Sequence, residues 1–240
     1  FYDILKIGDL IYLQDSVSGK TLDQLPEAEV AFVASNPSTG AILAYQGGFN
    51  FSKSNFDRVN QSFPQAGSSF KPFIYSAAIA NGYKASDTIN DAPIIFEDQN
   101  LESAWRPENY TGKFYGPIRL REALVQSVNI VSIKLLRELG IDKTHTFLEN
   151  FGFPKSRLAP DLSLALGSSS FSPAEMIRAY NFLANSGEGK NLYFIEKIID
   201  RDNNIIFQHP HAQPELDDTK SLDGFPWFTE ELIEEIQPFD

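Results

Sequence analysis

The chain contains one segment whose side chains are spaced in an unusually specific way, Gly67-Ser68-Ser69-Phe70-Lys71-Pro72. The apolar run after it ends at Asn81-Gly82, a pair typical of a helix C-terminus, so the segment is predicted to open a buried helix. Residues three apart on a helix are neighbours, and we therefore expect Lys71 to direct its amine toward the hydroxyl of Ser68. Partial positive charge at the helix N-terminus would favour a developing oxyanion. The spacing indicates a serine nucleophile with a lysine base.

The same spacing also has an ordinary explanation. Serine is a common N-cap and lysine a common exposed helix residue, so an S-x-x-K pattern is expected about once by chance in a chain of this size. A second element is needed to favour the catalytic interpretation.

Composition indicates a globular chain and excludes several classes of partner. With 240 residues, 42% of them hydrophobic, the chain can bury a full core. Its net charge of −12 argues against nucleic acid and anionic lipid as partners, because like charges repel. The absence of cysteine excludes disulfides and thiolate metal sites. His209 and His211 flank a proline in a polar stretch, which is more typical of a solvated loop than of a metal site, so neither a metal nor a cofactor is expected.

Apolar periodicity predicts an α+β fold in which helices pack on an antiparallel sheet. Residues 84–117 are expected to form an irregular excursion, because they are rich in turn formers. The other predicted elements are a short strand at 9–13, a hairpin at 30–35 and 41–45, a helix at 73–80, two helices interrupted at 127–129, helices at 142–151 and 173–184, and a second hairpin at 192–199 and 205–207.

The interruption at Ser127-Val128-Asn129 is the second element that the first motif needs. If the local chain is not helical, side chains two apart can face the same cleft. The ordinary alternative is that Asn129 caps the helix that follows it and Ser127 ends the previous helix. An S-x-x-K followed in order by an S-x-N is, however, the signature of serine enzymes that recognise penicillin.

Longer stretches of the chain, in order from about residue 29 to residue 207, resemble the transpeptidase domain of class A, bifunctional penicillin-binding proteins. The stretches that carry the resemblance are Gln65 to Tyr75, Pro107-Glu108-Asn109-Tyr110, Gly116 to Asn129, Leu162 to Ser168 and Ala179 to Gly187. The resemblance implies the penicillin-binding protein and serine β-lactamase type of fold, with an antiparallel sheet packed by helices and a helical subdomain.

The resemblance also implies a D,D-transpeptidase that crosslinks peptidoglycan stem peptides and is a target of β-lactam antibiotics. Ser68 would be the nucleophile, Lys71 its general base and Ser127 a proton relay. Asn129 would hold the substrate amide and orient Lys71. Trp105 and Tyr110 could line the substrate cleft, although either could equally anchor a loop on the core.

The third motif of that family, K-T-G or K-S-G, has no match in this sequence. We therefore expect an incomplete transpeptidase domain at residues 28–208, preceded at 1–27 by a linker or the end of an OB-like module and followed at 209–240 by an acidic tail. The family implies a periplasmic location, with an inner-membrane anchor and a glycosyltransferase domain before Phe1, and other cell-wall synthesis proteins as possible partners. The alternatives are a β-lactamase-like hydrolase and a non-catalytic β-lactam-binding or scaffold fragment. No glutamate for deacylation occurs between Pro160 and Ser172, which argues against the hydrolase.

Overall fold

Helices in the middle of the chain are flanked by short antiparallel hairpins. The computed structural model describes residues 5–17, 19–24, 26–94 and 105–211. In chain order its elements are β1 (Tyr12–Ser16), β2 (Gly19–Asp23), β3 (Phe32–Ser35), β4 (Ile42–Gln46), α1 (Lys71–Ala80), β5 (Thr88–Asp91), β6 (Gly116–Arg119), α2 (Leu120–Val125), α3 (Asn129–Leu139), α4 (Ile141–Glu149), α5 (Pro173–Ala184), β7 (Lys197–Ile199) and β8 (Ile205–Gln208).

Helix α1 lies at the centre of the core because it is apolar on nearly every side. One of its sides packs with α3, α4 and α5 in a cluster that includes Phe73, Leu136 and Leu148. Another side packs with α2, α3 and β6 in a second cluster that includes Ala77 and Leu120. Each fully buried leucine or phenylalanine side chain in these clusters contributes about 1.5–3 kcal/mol of transfer free energy. The chemistry-bearing start of α1 is therefore fixed on a rigid support.

Helix boundaries agree with the predicted ones to within a few residues. Helix α5 has the expected bounds, because Ser172 and Glu175 form a capping box at its start and Pro173 occupies its first turn. Helices α3 and α4 are separated at Gly140. The break between α2 and α3 lies at residues 126–128, so that Asn129 is already the first residue of α3.

The expectation of one antiparallel sheet is wrong for the described part of the chain. Its strands form four separate two-stranded antiparallel sheets, β1–β2, β3–β4, β5–β6 and β7–β8. Backbone bonds do join the second pair to the segment before β7, since Ile42 N donates to Tyr193 O at 2.9 Å and Tyr193 N donates to Gly40 O at 3.2 Å. The two predicted hairpins, β3–β4 and β7–β8, are thus both present. Tyr193, which lies before β7, is hydrogen-bonded to the first of them.

Two further sequence expectations need correction. The first strand begins at Tyr12, later than the predicted 9–13, and pairs with a second strand that alternation did not reveal. The stretch at 84–117 is not wholly irregular, because β5 and β6 close it from both ends by pairing Asp91 with Gly116. Pairing across this separation leaves no periodic signal in the sequence, so the sequence does not predict it.

The α+β class is confirmed by this combination of helices and antiparallel hairpins. Most of the predicted acidic tail, residues 212–240, lies outside the described residues. Among those that the structure describes, no helix has the length and apolar character needed to cross a membrane.

Candidate active site

Ser68 lies in a single 3₁₀ turn, Gly67–Phe70, that runs directly into α1. Its side chain is exposed, and its hydroxyl makes no hydrogen bond within the part of the chain that the structure describes. The ordinary explanation of Ser68 as an N-cap is wrong, because Ala66 occupies the N-cap position of the 3₁₀ turn and Phe70 that of α1. N–H groups in a first helical turn lack intrahelical partners, and the N–H of Ser68 is one of them.

Two glycine backbones hold the turn in place. Gly67 N donates to Gly167 O at 2.9 Å, and a Cβ on Gly167 would lie 2.0 Å from Gly67 O. On either side of this contact, Ala66 N donates to Ser169 O at 3.0 Å and Tyr180 Oη donates to Ser69 O at 2.6 Å. The backbone of the serine turn is thus fixed from two directions, while the serine side chain itself stays free.

Lys71 is buried and its amine is held by three oxygen atoms. Its Nζ donates to Ser127 O at 2.6 Å, to Ser127 Oγ at 2.9 Å and to Asn129 Oδ1 at 2.7 Å. The residue is only 1% exposed, so the ordinary explanation of an exposed helix lysine is wrong. Burial lowers the pKa of Lys71 to about 8, because the charged form loses hydration.

The expected hydrogen bond between Lys71 and Ser68 is not formed. An ammonium group has three N–H donors, and Ser127 and Asn129 take all three. Ser127 lies in the break between α2 and α3, and Asn129 is the first residue of α3. The lysine therefore links the two motifs while the hydroxyl of Ser68 remains open.

Ser127 has a left-handed backbone, with φ of 52°, which few non-glycine residues adopt. This conformation ends α2 and turns the chain so that Ser127 Oγ and Asn129 Oδ1 both reach Lys71 Nζ. On a regular helix, the side chains of residues i and i+2 point in different directions and could not both contact the same amine.

Asn129 does not cap α3, contrary to the ordinary alternative. Val128 occupies the N-cap position, and Asn129 makes no cap hydrogen bond with its side chain. Its Oδ1 accepts from Lys71, and its Nδ2 donates to Glu108 O at 2.8 Å. The side chain thus bridges the lysine and the loop that precedes β6.

A cavity of about 320 Å³ opens beside these groups. Ser68, Ser127 and Asn129 line it, together with Tyr110, which is fully exposed. Trp105 does not lie in this lining and packs against the aromatic core cluster around α1. Of the two aromatic residues singled out from the sequence, one faces the cavity and the other contacts the core.

Two buried polar residues beside the site have no role that the sequence predicts, and one of them, Asn109, lines the cavity. Asn109 is 6% exposed and Asp91 is 0% exposed, and they are hydrogen-bonded to each other. Asn109 stands in the stretch 107–110 that carries part of the family resemblance, which was the signal available for it. Asp91 lies in a segment without a motif.

The two histidines near the end of the described chain belong to a separate region. The ring of His209 stacks on that of Tyr193 with centroids 3.5 Å apart, and His211 lies next to it. Within the described ranges, no three histidine, aspartate or glutamate side chains cluster as metal ligands would.

Comparison with known proteins places this geometry in a family. Residues 30–223 match the family described as "Penicillin binding protein transpeptidase domain". The chain is 44% identical over 207 residues to penicillin-binding protein 1A of Pseudomonas aeruginosa, an alignment that covers 86% of this chain and 25% of that protein. It is 39% identical over 214 residues to the Escherichia coli protein of the same name, covering 89% and 25%.

Solved structures agree with the sequence comparison. Penicillin-binding protein 1A from Haemophilus influenzae superposes with a TM-score of 0.80 at 40% identity, covering 85% of this chain and 30% of that one. PonA1 from Mycobacterium tuberculosis in complex with penicillin V gives a TM-score of 0.64 at 25% identity, covering 76% and 51%. The expected fold type is thus confirmed, and the chain spans about a quarter of the length of the curated relatives it matches.

Proposed function

Because the chain belongs to the family of penicillin-binding protein transpeptidase domains, we propose that it carries the acylation site of a serine D-Ala-D-Ala transpeptidase. The substrate would be the stem peptide of peptidoglycan. The observation that carries the proposal is the buried amine of Lys71, held between Ser127 and Asn129 one helical turn from an open serine hydroxyl.

Acylation begins with the neutral form of Lys71. The Ser68 proton passes to the amine of Lys71 as Oγ attacks the carbonyl carbon between the two terminal D-alanines. The peptide C–N bond then breaks, and the leaving D-alanine amine takes a proton from Lys71 through the hydroxyl of Ser127. The distance of 2.9 Å between Lys71 Nζ and Ser127 Oγ supports this relay. An ester on Ser68 and free D-alanine are the products.

The second half of the reaction returns the enzyme to its starting state. The amine of another stem peptide attacks the ester carbonyl, its proton leaves through the same relay, and the Ser68 oxygen is reprotonated as the new amide forms. During both halves the backbone N–H of Ser68 would donate to the tetrahedral oxyanion. Within the described residues, Asn129 Nδ2 donates to Glu108 O with one amide hydrogen, which leaves the other for substrate.

β-Lactams would acylate the same serine as mimics of the D-Ala-D-Ala end. The structure of PonA1 with penicillin V concerns a relative and supports this part of the proposal by analogy. We propose a periplasmic location, because peptidoglycan lies outside the cytoplasmic membrane. The transpeptidase segment itself is assigned to residues 28–208, and Tyr110 is its candidate side chain for contact with the stem peptide.

The test is covalent labelling of the chain with a penicillin, followed by mass spectrometry of the peptides. We expect one adduct on Ser68, its loss in Ser68→Ala, and the same labelling as the native chain in Ser69→Ala, a matched control one position away. An adduct elsewhere, or equal labelling of Ser68→Ala, would contradict the proposed nucleophile. An absence of labelling in the native chain would favour the scaffold alternative.

Turnover separates the transpeptidase from a hydrolase. Glu175, just beyond the stretch that lacks glutamate, is bound by Arg157 and by Ser172 N. Burial opposes ionisation of this carboxyl, but these bonds prevail and hold the pKa of Glu175 below its ordinary value. It is therefore not a free base for deacylation, and we expect a long-lived adduct. Rapid hydrolysis of a chromogenic cephalosporin would support the hydrolase instead.

A further inference from the structure

The start of α3 is capped by a residue from a distant loop. Val128 offers no side-chain bond to the first turn. Instead, Asn109 Oδ1 accepts from the N–H of Asn129 at 2.9 Å and from that of Ile130 at 3.3 Å. These are two of the N–H groups that a helix leaves without internal partners. The backbone position of Asn129 thus depends on the side chain of Asn109.

The orientation of the Asn109 carboxamide is fixed chemically. Its Nδ2 donates to both oxygens of Asp91, at 3.0 and 2.9 Å, and to Lys113 O at 2.9 Å. A flipped carboxamide would present its oxygen to three acceptors and its NH₂ group to two N–H donors, so only one orientation is compatible with these neighbours. Asp91 is itself held by Tyr115 N, which donates at 2.8 Å.

The same loop also holds the side chain of Asn129. Asn129 Nδ2 donates to Glu108 O, the carbonyl just before Asn109. With the backbone capped by Asn109 and the amide end held by Glu108, the Oδ1 of Asn129 has a defined place. That oxygen accepts from Lys71 Nζ at 2.7 Å. A continuous set of hydrogen bonds therefore runs from buried Asp91 to the lysine amine.

We propose that Asn109, oriented by Asp91, is a positioning residue that fixes Asn129 and, through it, the amine of Lys71. Asn109 lines the cavity, but its carboxamide is bonded to Asp91, to Lys113 O and to the backbone of α3. Its effect on Lys71 is therefore transmitted through Asn129. The inference rests on the proposed function for its rate measurements. The expected change in the titration of Lys71 can be measured without catalysis.

The first test replaces Asn109 by alanine. We expect the acylation of Ser68 by a fluorescent penicillin to slow by about 10- to 100-fold in the chemical step, because small displacements of a catalytic group have effects of this size. Water admitted beside the lysine should also move the titration of Lys71 toward that of an ordinary lysine, which NMR of ¹³C-labelled lysine side chains measures. Asn185→Ala is the control. It removes a similar bond at a helix end, from Asn185 Nδ2 to Glu188 O, far from the site.

The second test exchanges the two partners. Asp91→Asn would set one NH₂ group against another and slow acylation, although it changes the shape of the side chain very little. The double variant Asp91→Asn with Asn109→Asp restores one donor facing one acceptor and keeps an oxygen for the N–H groups of α3, but it sets a carboxylate oxygen against Lys113 O. Asn109→Asp alone has that same contact and also faces the carboxylate of Asp91. We therefore expect the double variant to acylate faster than Asn109→Asp alone.

The outcomes distinguish this inference from the proposed function. If the native chain is not acylated, the proposed function fails, and the lysine titration still decides the inference. If Asn109→Ala does not fold, Asn109→Asp and the exchanged pair carry the test. The inference is overturned if Asn109→Ala titrates at Lys71 like the native chain, or if the exchanged pair is no faster than Asn109→Asp alone.

Discussion

Lys71 illustrates how one residue can be unfavourable for folding and suited to chemistry. An ordinary lysine is almost entirely charged at neutral pH and cannot accept a proton. Burial lowers the pKa of Lys71 to about 8, so that the amine is neutral in about a tenth of the molecules at pH 7. Three acceptor oxygens hold the charged ammonium group, and in the neutral amine two N–H groups can still donate while the hydroxyl of Ser127 can donate to the lone pair.

The lowered pKa predicts how acylation depends on pH. If neutral Lys71 is the base, the acylation rate of Ser68 should rise about tenfold per pH unit below the pKa, and level off above about pH 8. Stopped-flow measurement of acylation by a fluorescent penicillin, from about pH 6 to about pH 9.5, checks this. A rate that stays flat across the range, or falls as the pH rises, would remove Lys71 from the role of base. Lys71→Arg is the matched control, because it keeps a charge that cannot be released at these pH values.

At the scale of elements, local signals decided which predictions succeeded. Helix α5 could be delimited because Ser172, Pro173 and Glu175 are adjacent in the chain and cap it by themselves. The pairing of β5 with β6 could not be predicted, because the contact of Asp91 with Gly116 depends on the closure of a long loop. Helical spacing alone favoured Ser68 as the partner of Lys71, whereas the family resemblance implied that Asn129 orients it. In the structure the amine of Lys71 is bonded to Asn129 and Ser127.

The packing of the serine turn on Gly167 gives a prediction at this scale. A Cβ on Gly167 would meet the Gly67 carbonyl at 2.0 Å, and its φ of 71° strains any other residue. Gly167→Ala should therefore destabilise the protein by about 3 kcal/mol or more, from overpacking added to backbone strain. Thermal unfolding and acylation are the measurements, and we expect both to be impaired.

Gly82→Ala is the matched control for that substitution. Gly82 also has a positive φ, of 96°, but a Cβ there would meet nothing within 4 Å. The control should lose only about 1–2 kcal/mol to backbone strain and retain acylation. Equal losses in the two variants would mean that the close approach of the glycine backbones contributes nothing.

At the scale of the whole molecule, burial is distributed unevenly. Helices α1 and α3 consist mostly of buried residues, whereas every residue of β1 is exposed. Local opening is easiest where few apolar contacts must be broken. The β1–β2 hairpin should therefore open independently of the helical core.

Hydrogen exchange measured by mass spectrometry tests this uneven burial. We expect the amides of β1 and β2 to exchange orders of magnitude faster than those of α1 and α3, because their hydrogen bonds can open without disturbing the core. A low concentration of urea should leave that ranking intact, since local opening exposes little surface. Equal protection of the hairpin and the core would show that the molecule opens only as one unit.

The left-handed backbone of Ser127 has a consequence for the engineering of this protein. Its φ of 52° is unfavourable for serine and easy for glycine, so Ser127→Gly would relieve about 1 kcal/mol of backbone strain. It would also delete the hydroxyl that Lys71 contacts, and the loss of that bond opposes the gain in stability. Where the relief of strain exceeds this loss, a library sorted for heat resistance alone would enrich the glycine variant and lose the proposed proton relay. Selection for a robust variant must therefore keep acylation in the screen at every round.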